Sequence, residues 1–221
     1  AAAGGAGGAA VEGAPPPSVI SRVAETTHRT VTVLRSKVVI VGDATVGKTA
    51  LSQMFYSGGS SYPKNYSMTV GVDFSMKAVN IPDTDTRVEL FLFDCAGQST
   101  FNQREYGQRN WDGASCVMVV YDVSNRESLK SCAKWLKGVR DCRPGRVLPG
   151  VLVANKVDLT DAGRRQVDEE EGRAVAHSMG LAYFETSAQE QSGVDAPFHY
   201  LADAFYRKYD ETVKRVEGMA I

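Results

Sequence analysis

The chain has 221 residues, 43% of them hydrophobic and 23% charged, with a formal net charge of −1. This suits a globular chain with room for one α/β domain and argues against a nucleic-acid binder that works through a basic surface. No apolar run approaches the ~20 residues of a membrane helix, and the four cysteines, Cys95, Cys116, Cys132 and Cys142, lack zinc spacing and read as reduced thiols of a cytosolic protein.

Residues 1–18 are Ala/Gly/Pro-rich and end near Pro15-Pro16-Pro17 with a single charge at Glu12. Such a stretch cannot bury an apolar face, so it is expected to be a flexible tail. It has neither the basic start nor the apolar core of a signal peptide. The domain itself is placed at residues 30–217. Thr30 to Leu34 leads into a strand over Lys37–Val41. Leu51, Met54 and Phe55 follow at helical spacing, and Gly58-Gly59 ends that helix. Strands are expected over Val72–Ile81 and Arg87–Phe93, joined by the turn Pro82-Asp83-Thr84-Asp85 as one antiparallel edge. Cys116–Tyr121 reads as a buried strand, Glu127–Val139 as an amphipathic helix and Val151–Ala154 as a second buried strand. A helix over Asp168–Met179 has acidic residues in its first turn, favourable for the helix dipole. Ala182–Glu185 is a short strand, and Ala196–Val216 a long closing helix. Apolar strands interleaved with helices predict an α/β fold with a mostly parallel six-stranded sheet, covered on both faces.

Gly42-Asp43-Ala44-Thr45-Val46-Gly47-Lys48-Thr49 reads G-x-x-x-x-G-K-[ST] directly after the run Val38–Val41. In that context the glycines allow successive backbone N–H groups to face phosphate oxygens. The cradle is expected to comprise Asp43, Ala44, Thr45, Val46, Gly47, Lys48, Thr49 and Ala50. Lys48 reaches the outer phosphates and the Thr49 hydroxyl offers a ligand to Mg²⁺. Asp94-Cys95-Ala96-Gly97-Gln98 follows another apolar run. There Asp94 can hold Mg²⁺, the Gly97 N–H can meet a γ-phosphate, and Gln98 can orient an attacking water. In Asn155-Lys156-Val157-Asp158, residues Asn155, Lys156 and Asp158 are expected at the base, where the carboxylate of Asp158 can accept the paired N1–H and N2–H₂ donors of guanine, a pair that adenine lacks. Glu185-Thr186-Ser187-Ala188 places the Ala188 N–H, next to Ser187, near guanine O6. Each motif ends a predicted strand, so all are expected at the carboxyl edge of the sheet. The cofactors read from these residues are GTP or GDP and Mg²⁺.

In this order the motifs resemble those of the small GTPases over residues 36–217. Within that class Val70-Gly71-Val72-Asp73-Phe74, Trp111-Asp112-Gly113-Ala114 and Tyr121-Asp122-Val123-Ser124 resemble Rab proteins. The resemblance implies a P-loop (Ras-like) fold and makes Thr69 the switch threonine. Thr69 then joins Thr49 and Asp94 around Mg²⁺, and joins Lys48 and Gln98 as the groups expected to act in GTP hydrolysis. Trp111, Phe74 and Phe101 are read as core or partner contacts. Two features depart from the Rab pattern: Ser99-Thr100-Phe101 replaces the usual Glu-Arg-Phe, and Gln189 stands where a lysine usually flanks the base.

No cysteine follows Cys142, so a prenyl anchor is not expected. Together with Pro82-Asp83-Thr84, Val88–Phe93, Pro149–Lys156 and Ala196-Pro197-Phe198, this is similar to a Rab-like branch that serves intraflagellar transport. That likeness implies a cilium or flagellum beside the cytoplasm and a heterodimer with a small β-sandwich subunit. It also implies docking to coiled-coil subunits of transport complex B, slow GTP hydrolysis, and no direct membrane anchor. A vesicle-trafficking Rab and a nucleotide-bound structural subunit without turnover are the other two readings.

Overall fold

The computed structural model describes residues 31–63, 65, 67–97 and 109–219. Six strands form one sheet: β1 (Thr32–Val41), β2 (Val72–Asn80), β3 (Thr86–Cys95), β4 (Cys116–Asp122), β5 (Gly150–Asn155) and β6 (Ala182–Thr186). Among the described residues the helices α1 (Lys48–Tyr56), α2 (Arg126–Asp141), α3 (Glu169–Ser178) and α4 (Asp195–Gly218) cover it. The strand order is β2-β3-β1-β4-β5-β6, and all neighbours are parallel except β2 and β3. This is the expected doubly covered α/β sheet with one antiparallel edge.

Parity along the strands sorts the core into two layers. Val38, Ile40, Met118, Val120, Val151 and Val153 face one side, against Leu51 and Phe55 of α1 and Phe198 and Leu201 of α4. Phe55 and Phe198 stack at 4.0 Å. Val39, Val41, Val117, Val119, Tyr121 and Leu152 face the other side, against Leu129, Trp135, Leu136 and Val139 of α2. Every residue of β4 and β5 is buried, as strands covered on both faces require.

β1 is longer than the sequence pattern suggests: it starts at Thr32 rather than Lys37. Residues 32–36 pair in register with Thr86–Leu90 of β3, and that pairing draws a mostly exposed segment into the sheet. Asp168 is the N-cap of α3 rather than its first residue, accepting from the Glu171 N–H at 2.8 Å. Gly58 and Gly59, at φ 62° and 87°, end α1, and the Gly59 N–H returns to the Met54 carbonyl at 2.8 Å.

The sheet order sets where a ligand can sit. The chain leaves β1 through α1 toward β2 and β3, and leaves β4 through α2 toward β5. The connections that leave neighbouring β1 and β4 therefore run in opposite directions, and the crevice between them at the carboxyl edge is where open α/β sheets bind ligands.

Candidate guanine-nucleotide site

The loop between β1 and α1 fills that crevice. Gly47 caps α1 at φ 98°, in the left-handed region, so the first N–H groups of the helix face the loop interior. A Cβ on Gly47 would lie 2.2 Å from Asn155 Nδ2, and one on Gly42 would lie 2.2 Å from the Val120 carbonyl oxygen. Both glycines are thus required by close approach as well as by backbone angle. Lys48 is buried and donates to the carbonyls of Gly42 and Asp43 at 2.9 and 2.8 Å, so its ammonium lies inside the ring of the loop. Burial lowers its pKa, and the charge of Asp94 opposes that shift.

Thr49, Thr69 and Asp94 come from a helix, a loop and a strand, and they meet at one point. Asp94 Oδ2 accepts from the Thr49 hydroxyl at 2.5 Å and from the Thr69 hydroxyl at 3.4 Å, and the two hydroxyls are 2.9 Å apart. Asp94 is buried, and among the described residues no donor reaches its Oδ1. Burial raises its pKa, against the hydrogen bond of Thr49 and the charge of Lys48. An orphaned buried carboxylate oxygen beside two hydroxyls is an all-oxygen donor set of the kind Mg²⁺ takes. Gly97 closes the same end. A Cβ there would lie 2.4 Å from the Ala44 nitrogen and 2.6 Å from the Asp43 carbonyl oxygen, so only glycine lets this segment abut the phosphate loop.

A cleft of about 480 Å³ runs along this surface. Its walls include Ala44, Thr45, Gly47, Lys48, Thr49 and Ala50, with Thr69, Gly97 and Lys156 opposite. Val46 is fully buried, so only its backbone faces the loop: its carbonyl accepts from Asn155 Nδ2 at 2.8 Å. The Oδ1 atom of Asn155 accepts in turn from the Thr186 hydroxyl at 3.1 Å and the Ala188 N–H at 3.4 Å. Asn155 therefore ties the phosphate loop to both base-side loops. Asp158 lies in the short 3₁₀ turn Val157–Thr160, and its Oδ1 accepts from the Ser187 hydroxyl at 2.6 Å. Gln98 and Phe101 lie outside the described residues, as does the 1–18 segment. Of the aromatics left open by the sequence, Trp111 is buried and Phe74 is exposed.

Two supporting residues, Asp122 and Glu185, escaped the sequence reading. Lys156 adopts φ 69° and its ammonium pairs with the buried Asp122 carboxylate at 2.6 Å; the Asp122 Oδ1 also accepts from the backbone and hydroxyl of Ser124. The signal is present in Tyr121-Asp122-Val123-Ser124, where a carboxylate ends a buried strand and a hydroxyl follows it. Glu185, the penultimate residue of β6, forms an ion pair with Arg165 and accepts from the Tyr183 hydroxyl at 2.8 Å. Burial alone would raise the Glu185 pKa; the hydrogen bonds from Arg165 and Tyr183 outweigh it, and the carboxyl titrates below its usual range.

A phosphate loop at the switch point of a six-stranded sheet, a Thr–Thr–Asp oxygen cluster and an N-K-x-D turn together define a P-loop nucleotide-binding domain. The model of the Ras family matches residues 37–207, and the chain belongs to that family of small GTPases. It is 46% identical over 187 residues to "Intraflagellar transport protein 27 homolog" of Homo sapiens, covering 85% of this chain and 98% of the relative. It is 43% identical over 183 residues to "Intraflagellar transport protein 27" of Chlamydomonas reinhardtii, covering 81% and 88%. To the human "Ras-related protein Rab-30" it is 34% identical over 166 residues, covering 75% and 77%. Among the described residues, no helix is long and apolar enough to cross a membrane.

Proposed function

We propose that this chain is a Rab-like guanine-nucleotide switch of the intraflagellar transport machinery of cilia or flagella, and that it hydrolyses GTP slowly. The observation that carries the nucleotide reading is the meeting of Thr49, Thr69 and Asp94 beside the buried Lys48. Mg²⁺, when bound with GTP or GDP, would be held by those three oxygen donors and would supply charge neutralisation at the phosphates. Lys48 and the loop N–H groups bind and orient the phosphates. Asp158, held by Ser187, accepts from the guanine edge, and the Ala188 N–H donates to it. Gln98 orients the water. Thr69 and Gly97 change partners between the GTP and GDP forms, which makes the two segments a switch.

The transport assignment is supported by relatives that carry the name of intraflagellar transport protein 27 and match over most of both chains. By the same likeness the partners are a small β-sandwich subunit, in a heterodimer, and coiled-coil subunits of transport complex B. α4 supplies a surface for such a contact. Phe198 and Leu201 pack under it, whereas Tyr209 and Val216 are exposed on its last turns. Single-turnover GTP hydrolysis tests the switch. The unassisted rate is expected at ~10⁻⁴ to 10⁻² s⁻¹, lower still in Gln98→Leu with GTP binding kept. Equal rates for the two proteins would favour a nucleotide-bound subunit without turnover. Deletion of residues 209–221 is expected to release the β-sandwich subunit on co-purification while GDP stays bound; retention of that subunit would refute the α4 contact.

A further inference from the structure

The chain's two tryptophans form a bridge that none of the nucleotide motifs contains. Trp135, on α2 and 5% exposed, donates its indole N–H to Asp43 Oδ1 at 2.7 Å. Trp111 meets the Trp135 ring edge to face at 6.3 Å and lies in the same buried cluster as Cys95, next to Asp94. Gly138 makes room for this pair: a Cβ there would lie 2.7 Å from the Trp111 ring. Asp43 itself is held at three points. Its side chain is on Trp135, its carbonyl is on Lys48, and its backbone abuts Gly97.

An acidic side chain in a loop that cradles anions is an electrostatic liability. A free carboxylate a few ångströms from bound phosphates repels them, more so in the low dielectric of a half-buried loop. We infer that Trp135 is a positioning residue for nucleotide binding: its indole N–H holds the Asp43 carboxylate on the α2 side of the loop, away from the phosphates. Through Trp111 and Cys95 the same tryptophan pair joins the phosphate loop to the root of the Asp94–Gly97 segment. α2 thereby becomes part of the nucleotide site without touching the nucleotide. The inference rests on the guanine-nucleotide reading above.

The test is a cycle of Trp135→Phe and Asp43→Asn, read as the release rate of a fluorescent GDP analogue in the presence of Mg²⁺. Phenylalanine keeps an aromatic ring at the position and removes the donor; asparagine keeps an acceptor and removes the charge. Losing a hydrogen bond to a charged group is expected to speed release by about tenfold or more in Trp135→Phe. In the Asp43→Asn background the same change is expected to stay within about twofold, because no charge is left to misplace. An equal effect in both backgrounds would reduce Trp135 to packing and overturn the inference, as would release by Trp135→Phe within twofold of wild type. A second measurement leaves Trp135 in place. Asp43→Ala removes its acceptor and is expected to shift the tryptophan emission spectrum of the nucleotide-free protein, and an unchanged spectrum would overturn the contact. If the wild-type chain retained no GDP, the functional reading would fail, and the emission comparison would still decide the contact.

Discussion

Replacement of Gly47 by alanine would strike two features of the site at once. Gly47 sits at φ 98°, where an L residue costs about 1–2 kcal/mol. The new Cβ would also stand 2.2 Å from Asn155 Nδ2, the amide that donates to the Val46 carbonyl. Displacing that amide leaves a buried carbonyl without its donor, at about 1–3 kcal/mol. Together the GDP-bound form, which needs the loop closed, loses about 2–5 kcal/mol. For a domain of this size each kcal/mol lowers Tm by about 2–4 °C. The melting temperature of the GDP complex should therefore fall by about 4–20 °C, as read by differential scanning calorimetry at saturating GDP. Asn155→Ala removes the same hydrogen bond without the backbone strain and should fall less. A Gly47→Ala complex that melts within 2 °C of wild type would refute both the packing and the strain argument.

Other changes test the frame. Phe198 is fully buried and stacks on Phe55 across the α1–α4 layer, so Phe198→Ala should cost about 3–5 kcal/mol in denaturant unfolding; a loss under about 1 kcal/mol would contradict the packing described. The Glu185 carboxyl has a lowered pKa in the fold, so its contribution is present above its ordinary value of 4.5 and is lost as pH falls through the lower folded value. Glu185→Gln should therefore melt below wild type at pH 7, and the gap should shrink below about pH 4.5; a gap that stays constant with pH would remove the Arg165–Glu185 pair from the stability of β6.

The parts of this molecule that were legible in the sequence are those encoded locally. G-x-x-x-x-G-K-T specifies a turn, a charge and a hydroxyl within eight consecutive residues, and the buried strands β4 and β5 announced themselves as apolar runs. The ends of strands were less visible, because pairing decides them. Residues 32–36 are polar or half-exposed, yet β3 holds them in register. The oxygen cluster was half legible. Thr49 and Asp94 follow from motifs, but Thr69 is one hydroxyl in a loop, and only family likeness singled it out. The Trp135–Asp43 contact spans 92 positions, and nothing local in either segment marks it. Asn155 was read as a base-side residue, whereas its amide also serves as the brace between three loops.

The central claim, that the carboxyl edge of this sheet reads guanine through Asp158, is tested most directly by nucleotide competition. Wild-type protein with Mg²⁺ should prefer GDP over both ADP and XDP. Asp158→Asn exchanges the carboxylate that Ser187 holds at 2.6 Å for an amide, and it should shift the preference toward XDP, whose C2 position carries an oxygen. A wild-type chain that binds ADP as well as GDP, or an Asp158→Asn chain with an unchanged preference for GDP over XDP, would contradict the account.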